Sequence, residues 1–290
     1  MIDGNTQLIG LIGHPVGHSF SPVMHNAAAA ALGLNVAYVP LPVLPEHLPD
    51  ALRGLIALGF RGVNVTVPHK EAALAHLDAI FPAARAIGAV NTIVVGDSRL
   101  TGFNTDWSGF LADLESYHLA LYGRDCLVLG AGGSARAVVY ALLRRGGRVT
   151  VLTRRLEQAQ QLAAELGPAF PGATAVAVGA LDDVARVAAH LDEPILINAT
   201  PLGMAGDRVD LSPWPDGAPF PPGAFVYDLV YNPRQTRFMG QAHAAGRRTA
   251  NGLGMLVGQA VEAFEVLTGR RPDPAVMRRA IGDSEDTNDR

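Results

Sequence analysis

Apolar and polar positions along this chain fall into short blocks that favour strands and helices in turn. Leu8 to Ile12 reads as a short buried strand ending in Gly13. Ser21-Pro22 then looks like an N-cap with proline at the first helical position, opening an alanine-rich helix through Leu32. Val36 to Leu41 predicts a second strand, Glu46 to Leu58 a second helix, and Gly62 to Val67 a third strand, followed at once by Pro68 and another helical segment. Ala89 to Val95 and Arg99 to Phe103 are β-rich runs on either side of Gly96-Asp97, which suits a hairpin turn. Strands separated by helices imply parallel βαβ units covered on both faces.

The alternation then begins again. Trp107 to Leu119 suits a connecting helix, and Cys126 to Leu129 a buried strand leading into a glycine-rich turn. A helix from Ser134 to Arg145, a strand from Arg148 to Leu152 and a helix from Glu157 to Leu166 follow. Pro194 to Asn198 and Ala224 to Leu229 read as later strands, and Gly206 to Gly223, rich in proline and glycine, as an irregular surface loop. After Asn251 the pattern is helical through Leu267, with a short helix from Pro274 to Ile281 and a polar tail from Gly282 to Arg290 expected to fray. The expected fold class is α/β with two domains.

Composition narrows the function classes. With 290 residues, 49% of them hydrophobic and 17% charged, the chain can fill two cores and is no candidate for disorder. A formal net charge of −4 gives no general reason to bind nucleic acid or a membrane surface. The single cysteine, Cys126, excludes an intrachain disulfide, reads as a small buried residue, and leaves no metal site expected. Asp3, Asn5 and Gln7 interrupt any signal-peptide pattern and no apolar run reaches spanning length, so a cytoplasmic protein is expected.

Gly130-Ala131-Gly132-Gly133-Ser134-Ala135 follows a strand and precedes a helix, the context in which such a turn suits a dinucleotide. Small residues let backbone N–H groups at the helix start approach a pyrophosphate. The next strand tests which dinucleotide. NAD enzymes usually end it in an acid that bonds the ribose 2′-hydroxyl, whereas here it ends in Thr153-Arg154-Arg155. Two guanidinium groups suit a 2′-phosphate, so the cofactor expected is NADP.

Polar residues also stand at the strand ends of the first third: Ser19 and Ser21, Asn64 and Thr66, Asn91-Thr92, and Asn104-Thr105-Asp106. Strand ends form the ligand crevice of α/β sheets, although each residue alone has a structural explanation as a cap or a satisfied amide. Lys70 falls in the first turn of the helix expected after Pro68. The helix dipole there opposes a cation, which suits a general acid/base held by a neighbouring Asp.

Together these segments resemble the shikimate dehydrogenase family over nearly the whole chain. The resemblance is carried by Gly13-His14-Pro15-Val16-Gly17-His18-Ser19-Phe20-Ser21-Pro22, Asn64-Val65-Thr66-Val67-Pro68-His69-Lys70, Gly88-Ala89-Val90-Asn91-Thr92 and Gly102-Phe103-Asn104-Thr105-Asp106. It continues through the glycine-rich turn to Asn198-Ala199-Thr200-Pro201-Leu202-Gly203-Met204, Tyr227-Asp228-Leu229-Val230-Tyr231 and Asn251-Gly252-Leu253-Gly254-Met255-Leu256.

The resemblance implies reversible, stereospecific reduction of 3-dehydroshikimate to shikimate by NADPH. It implies proton exchange by Lys70, with Asp106 orienting it, and a substrate carboxylate bound by Ser19 and Ser21. Thr66, Asn91, Tyr231 and Gln259 match further substrate contacts, with Asn64 a lesser one. Gly130, Ala131, Gly132, Gly133, Ser134, Thr153, Arg154 and Arg155 match the cofactor-phosphate segments. Leu229, Gly252 and Met255 match the nicotinamide side, and Thr200 is a further cofactor contact.

The implied layout is a substrate domain of residues 1–106 plus 251–290 and a Rossmann-type NADP domain of residues 107–250, with a cleft between them, in a monomer or homodimer. Where the family commonly has Asn-Arg-Thr, this chain has Thr153-Arg154-Arg155, so the arginine is kept; the loop from Gly206 to Gly223 is longer than the family commonly has. The Ser-x-Ser pattern suits shikimate over quinate. Two alternatives remain: a quinate/shikimate dehydrogenase with relaxed substrate or NAD use, and a catalytically silent NADP-binding sensor.

Overall fold

The computed structural model describes residues 2–172 and 175–283. The chain divides into two compact units, Met1–Gly109 with Leu256–Arg290, and Phe110–Met255.

In the first unit the elements are β1 (Gln7–Gly13), α1 (Ser21–Ala31), β2 (Val36–Pro42), α2 (Leu48–Ala57), β3 (Phe60–Val65), β4 (Ala79–Ile80), α3 (Pro82–Ile87), β5 (Thr92–Gly96) and β6 (Arg99–Phe103). They form one sheet in the order β2-β1-β3-β5-β6-β4. The β1 strand pairs in parallel with both β2 and β3, but β5 runs antiparallel to β3 and β6. The sheet is therefore mixed, not parallel throughout, because β5 and β6 are joined by a tight hairpin that no crossover helix can replace. Its turn residues are Asp97 and Ser98, both with positive φ (48° and 57°), one position later than Gly96-Asp97.

This topology decides where chemistry can occur. The C-terminal ends of β1, β3 and β6 lie along one edge of the sheet, and the reversed β5 begins there too. The 14–20 loop, Thr66 to Lys70, Asn91 and Asn104 to Asp106 consequently all emerge on a single edge. Alternate residues of β1 face opposite cores: Ile9 and Leu11 meet Tyr38 and Leu267, while Ile12 packs with Leu48, Leu52 and Phe60. The α4 helix (Asp106–Glu115), α9 (Leu253–Thr268) and α10 (Pro274–Ala280) complete the helical layers, with Met24, Ala28, Val261, Phe264 and Met277 forming another buried cluster.

Three local expectations are corrected. Ser21 is the first helical residue, not the cap; Phe20 occupies the cap position, and Ser19 Oγ accepts the Ser21 N–H at 3.2 Å. The segment after Pro68 is only a 3-10 turn, Ala72–His76, and Lys70 precedes it. The Lys70 carbonyl instead accepts the Val90 N–H at 2.8 Å, which fastens this segment to the approach to β5. The connecting helix ends at Glu115, short of Leu119, and His118 takes a positive φ of 57°.

The second unit holds β7 (Asp125–Leu129), α5 (Gly133–Arg144), β8 (Arg148–Thr153), α6 (Leu156–Leu166), β9 (Ala177–Ala180), α7 (Val184–Ala188), β10 (Ile195–Asn198), β11 (Phe225–Asp228), α8 (Arg237–Ala244) and β12 (Arg248–Asn251). All six strands are parallel, in the order β12-β11-β10-β7-β8-β9. The chain proceeds outward from β7 on one side, then returns and proceeds outward from β10 on the other. This is the Rossmann order, with its switch point between β7 and β10.

The 206–223 stretch is irregular as expected but is more than a surface loop. Trp214 (2% exposed) stacks on Phe220 at 4.2 Å, and both join the core of Leu152, Leu196 and Phe238. Cys126 is buried as expected, and burial pushes its thiol up to about 12. From Ser284 onward the polar tail lies outside the described residues.

His25 leaves a pH signature on the first unit. Its ring is 1% exposed and stacks on Tyr38 at 4.3 Å, and its Nδ1 has no hydrogen-bond partner. Burial pushes the imidazole down to about 3. Because the folded value lies below the unfolded one, the neutral ring is tolerated above about pH 6.5, and stability is lost as pH falls from there toward 3. At pH 4 the loss attributable to His25 is on the order of 3 kcal/mol. His25→Phe, which keeps the ring stack, is expected to remove that part of the acid sensitivity. Urea melts at pH 7 and pH 4 check this, and equal losses in both proteins would contradict it.

Candidate active site

In the first unit, Lys70 Nζ donates to Asp106 Oδ2 at 2.7 Å, with the two side chains only 12% and 6% exposed. Asp106 opens α4, and its N–H donates to Asn104 Oδ1 at 3.0 Å. The other carboxylate oxygen, Oδ1, accepts from Asn91 Nδ2 at 2.9 Å. Asn91 is held in turn: its Oδ1 accepts the Thr105 N–H at 2.8 Å and the Thr92 hydroxyl at 3.1 Å. Its Nδ2 also reaches Thr105 Oγ1 at 2.9 Å and Gln259 Oε1 at 3.3 Å. The carboxylate therefore has a fixed orientation, and a lysine amine rests against it at the strand-end edge of the sheet.

Gln259 arrives from α9 through a close helix crossing. A Cβ on Gly109 would lie 2.5 Å from the Gln259 backbone nitrogen, so only glycine permits this approach. Thr105 Oγ1 then donates to the Gln259 carbonyl at 3.0 Å. Asn64 has its amide engaged within the protein. Its Nδ2 donates to Asn91 O and Thr92 Oγ1, and its Oδ1 accepts from Tyr38 Oη at 2.9 Å. Tyr38 also hydrogen-bonds Ser21, and burial pushes its phenol far up. Ser19 and Thr66 are partly exposed. Lys70, Asp106, Asn91, Asn64 and Gln259 thus form one connected cluster, and Ser21 joins it through Tyr38.

The second unit presents a different constellation. Gly130 follows β7 with φ 109°, a conformation L side chains rarely adopt, and its N–H donates to Leu152 O at 2.7 Å. Where a Cβ on Gly132 would sit there is nothing within 4 Å, so packing does not require that glycine. An anionic ligand approaching the helix would require it. The ladder of α5 begins with Arg136 N–H to Gly132 O, which leaves the N-terminal end of the helix pointing outward beside the switch point. Thr153 is buried at the end of β8, and Arg154 and Arg155 follow it as exposed side chains with no acid at the strand tip. These residues fit a dinucleotide that carries an additional phosphate.

Further round the same sheet, Thr200 Oγ1 donates to Asn198 Oδ1 at 2.6 Å. Gly252 lies so close to the Leu229 backbone that a Cβ would collide with it, and Met255 is 7% exposed. Tyr231 is largely shielded, and burial pushes its phenol up. Among the described residues no group of three or more His, Cys, Asp or Glu is arranged to hold a metal ion, and no helix is long and apolar enough to cross a membrane.

Nothing in the sequence pattern alone gives a role to Tyr38, or to the buried trio Asn198, Asp228 and Thr236. The available signal was a polar residue closing an otherwise apolar strand, as Asn198 closes Ile195–Asn198 and Asp228 closes Phe225–Asp228.

Residues 11–93 match the family model described as shikimate dehydrogenase substrate binding domain, and residues 252–281 match that of the shikimate 5′-dehydrogenase C-terminal domain. The chain is 49% identical over 283 residues to a shikimate dehydrogenase (NADP+) of Salinibacter ruber, covering 97% of this chain and 98% of the relative. It is similar to a crystal structure of shikimate dehydrogenase in complex with NADP+ (TM-score 0.89, 40% identity, 98% of this chain and 97% of the other). It is also similar to the Thermus thermophilus enzyme in complex with NADP(H) and shikimate (TM-score 0.82, 42% identity, 95% and 98% covered).

Proposed function

The chain belongs to the shikimate dehydrogenase family, and from that premise we propose how its residues interconvert shikimate and 3-dehydroshikimate with NADP(H). It is an NADP-dependent oxidoreductase acting on a CH–OH group. The observation that carries the residue assignment is the Lys70–Asp106 pair at 2.7 Å, fixed by Asn91 on the sheet edge where the strand-end loops converge.

When bound, the nicotinamide supplies or accepts the hydride. Lys70 Nζ, entering the step as the neutral amine, takes the hydroxyl proton as shikimate is oxidised, and the resulting ammonium returns it in the reverse direction, while Asp106 Oδ2 holds that nitrogen in place. Ser19 and Ser21 bind the carboxylate, and Thr66, Asn91, Gln259 and Tyr231 contact the ring hydroxyls. Asn64, whose amide is already engaged by Tyr38 and the start of β5, supports Asn91 more than it contacts substrate. The Gly130 to Ser134 turn receives the pyrophosphate and Arg154 with Arg155 the 2′-phosphate, with Thr153 beneath them. Thr200, Leu229, Gly252 and Met255 line the nicotinamide side.

We assign substrate binding to the unit Met1–Gly109 with Leu256–Arg290, and NADP binding to Phe110–Met255. The protein acts in the cytoplasm as a monomer or homodimer.

Steady-state kinetics with shikimate and quinate, each with NADP+ and NAD+, test the reading; no NADP+ reduction with shikimate would refute it. The same matrix separates it from a relaxed quinate/shikimate enzyme and from a silent NADP-binding protein. Ser21→Ala is expected to raise KM for shikimate about tenfold or more, since a hydrogen bond to a charged group contributes about 1.5–3 kcal/mol. Because the carboxylate is remote from the reacting carbon, kcat should change little. An unaltered KM would remove Ser21 from the carboxylate site.

A further inference from the structure

Asp228, at the end of β11, has no part in the roles assigned above, yet its surroundings are unusually constrained. It is 0% exposed and accepts hydrogen bonds from three neutral donors. Asn198 Nδ2 donates to Oδ1 at 2.9 Å, the Val230 N–H donates to Oδ1 at 3.0 Å, and Thr236 Oγ1 donates to Oδ2 at 2.6 Å. Among the described residues it forms no ion pair, and no charged side chain acts on it. A buried carboxylate without a cation is less stable than a neutral side chain of the same shape. Stability alone therefore does not explain an aspartate at this position.

What the carboxylate does is fasten two segments that leave the sheet beside its switch point. Asn198, itself fully buried, accepts the Thr200 N–H at 3.0 Å and the Thr200 hydroxyl at 2.6 Å, and donates to Leu202 O at 3.1 Å. The Asn198 carbonyl also accepts the Leu229 N–H at 2.9 Å. Asp228 holds the amide that orients Thr200 on one side and the backbone immediately after Leu229 on the other. Through Thr236, whose hydroxyl also accepts the Met239 N–H at 3.3 Å as the cap of α8, it anchors the far end of the 229–236 segment.

We propose that Asp228 is a positioning residue for the nicotinamide end of the cofactor site, setting Thr200 through Asn198 and Leu229 through the Val230 amide. The inference rests on the assignment of Thr200 and Leu229 to the cofactor. Burial pushes the carboxyl up to about 6. The groups facing it, Asn198 of β10, the Val230 amide and Thr236, do not titrate, so its ionisation can be read by itself.

The test compares wild type and Asp228→Asn by calorimetric titration with NADP+, by thermal melts of the unliganded proteins from pH 5 to pH 8, and by steady-state kinetics. The asparagine is expected to weaken NADP+ binding about tenfold and to raise KM for NADP+ in parallel, the equivalent of about one hydrogen bond. KM for shikimate should not change, and kcat at saturation should stay within about threefold. The unliganded variant should melt at or above the wild-type temperature. Its margin should grow from pH 5 to pH 7, as the wild-type carboxyl acquires its buried charge.

A lower melting temperature with unchanged NADP+ affinity would mean a purely structural role and would overturn the proposal. Arg154→Ala is the control for the underlying assignment. If it weakens NADP+ binding and Asp228→Asn does not, only the positioning role fails; if neither does, the cofactor assignment fails and the proposal with it. Should Asp228→Asn not fold, Thr236→Val removes the bond at Oδ2 together with the α8 cap to the Met239 N–H, and leaves both bonds at Oδ1. It is expected to weaken NADP+ binding, with Thr236→Ser restoring it; equal affinities in the two would count against the proposal.

Discussion

Lys70→Ala is expected to lower kcat for shikimate oxidation by about three orders of magnitude, within the range for loss of a positioned general acid/base. KM for shikimate should move by less than about threefold, because the proposed role of the amine is proton exchange rather than anchoring. Stability should fall as well. Removing the amine leaves Asp106, whose side chain is 6% exposed, with Asn91 as its remaining side-chain partner. Breaking a buried pair from one side costs about 3–5 kcal/mol. That cost provides a control: adding Asp106→Asn to Lys70→Ala removes the uncompensated charge. The double variant should regain much of the lost thermal stability while remaining as inactive as the single one. Turnover by Lys70→Ala within tenfold of wild type would end the assignment, and recovery of activity in the double variant would show that the single change had acted through the fold.

The parts of this molecule that were legible in the sequence were those where one physical requirement dominates locally. The strand, glycine turn and helix from β7 to α5 were readable because an apolar run, an obligatory positive φ at Gly130 and a helical period follow one another without interruption. Lys70 and Asp106 were readable as candidates, although a place in a helix's first turn is not what sets Lys70 apart. Lys70 lies ahead of a short 3-10 turn, not inside an α-helix, and what distinguishes it is Asp106 at 2.7 Å across 36 residues of sequence. No local pattern encodes that distance. It follows from β5 running antiparallel, which brings Asn91 and Asp106 to the edge where Lys70 already lies.

The elements that went unread fail for related reasons. The β4, β9 and β12 strands have two to four residues and lie at sheet edges, and α7 is five residues long. Such segments are specified by neighbours more than by their own period. Trp214 and Phe220 sit in a stretch whose proline and glycine content argued for surface, and tertiary packing overrides that composition. Asp228 was visible as a letter in a motif but not as a hub, since its three donors lie on the neighbouring strand β10, in the segment after β11 and at a helix cap.

The second large effect is expected at the tip of β8. Replacing both Arg154 and Arg155 with alanine should raise KM for NADP+ by about two to three orders of magnitude, since two charge-assisted contacts to a phosphate at an exposed site contribute about 3–4 kcal/mol together. Activity with NAD+ should change by less than about threefold, because that cofactor has no 2′-phosphate for either guanidinium to grip. The variant should not become a good NAD enzyme. Thr153 closes the strand where an acid would be needed to bond a ribose hydroxyl, and neither alanine supplies one. Both side chains are exposed, so folding should be unaffected, and thermal melts serve as the control. The dependence on salt is a further readout. Raising ionic strength should weaken NADP+ binding to wild type more than to the double variant, because the screened attraction is the one that has been deleted. If KM for NADP+ and its salt dependence both stay at wild-type values, the 2′-phosphate is held elsewhere and the strand-end arginines are solvated bystanders.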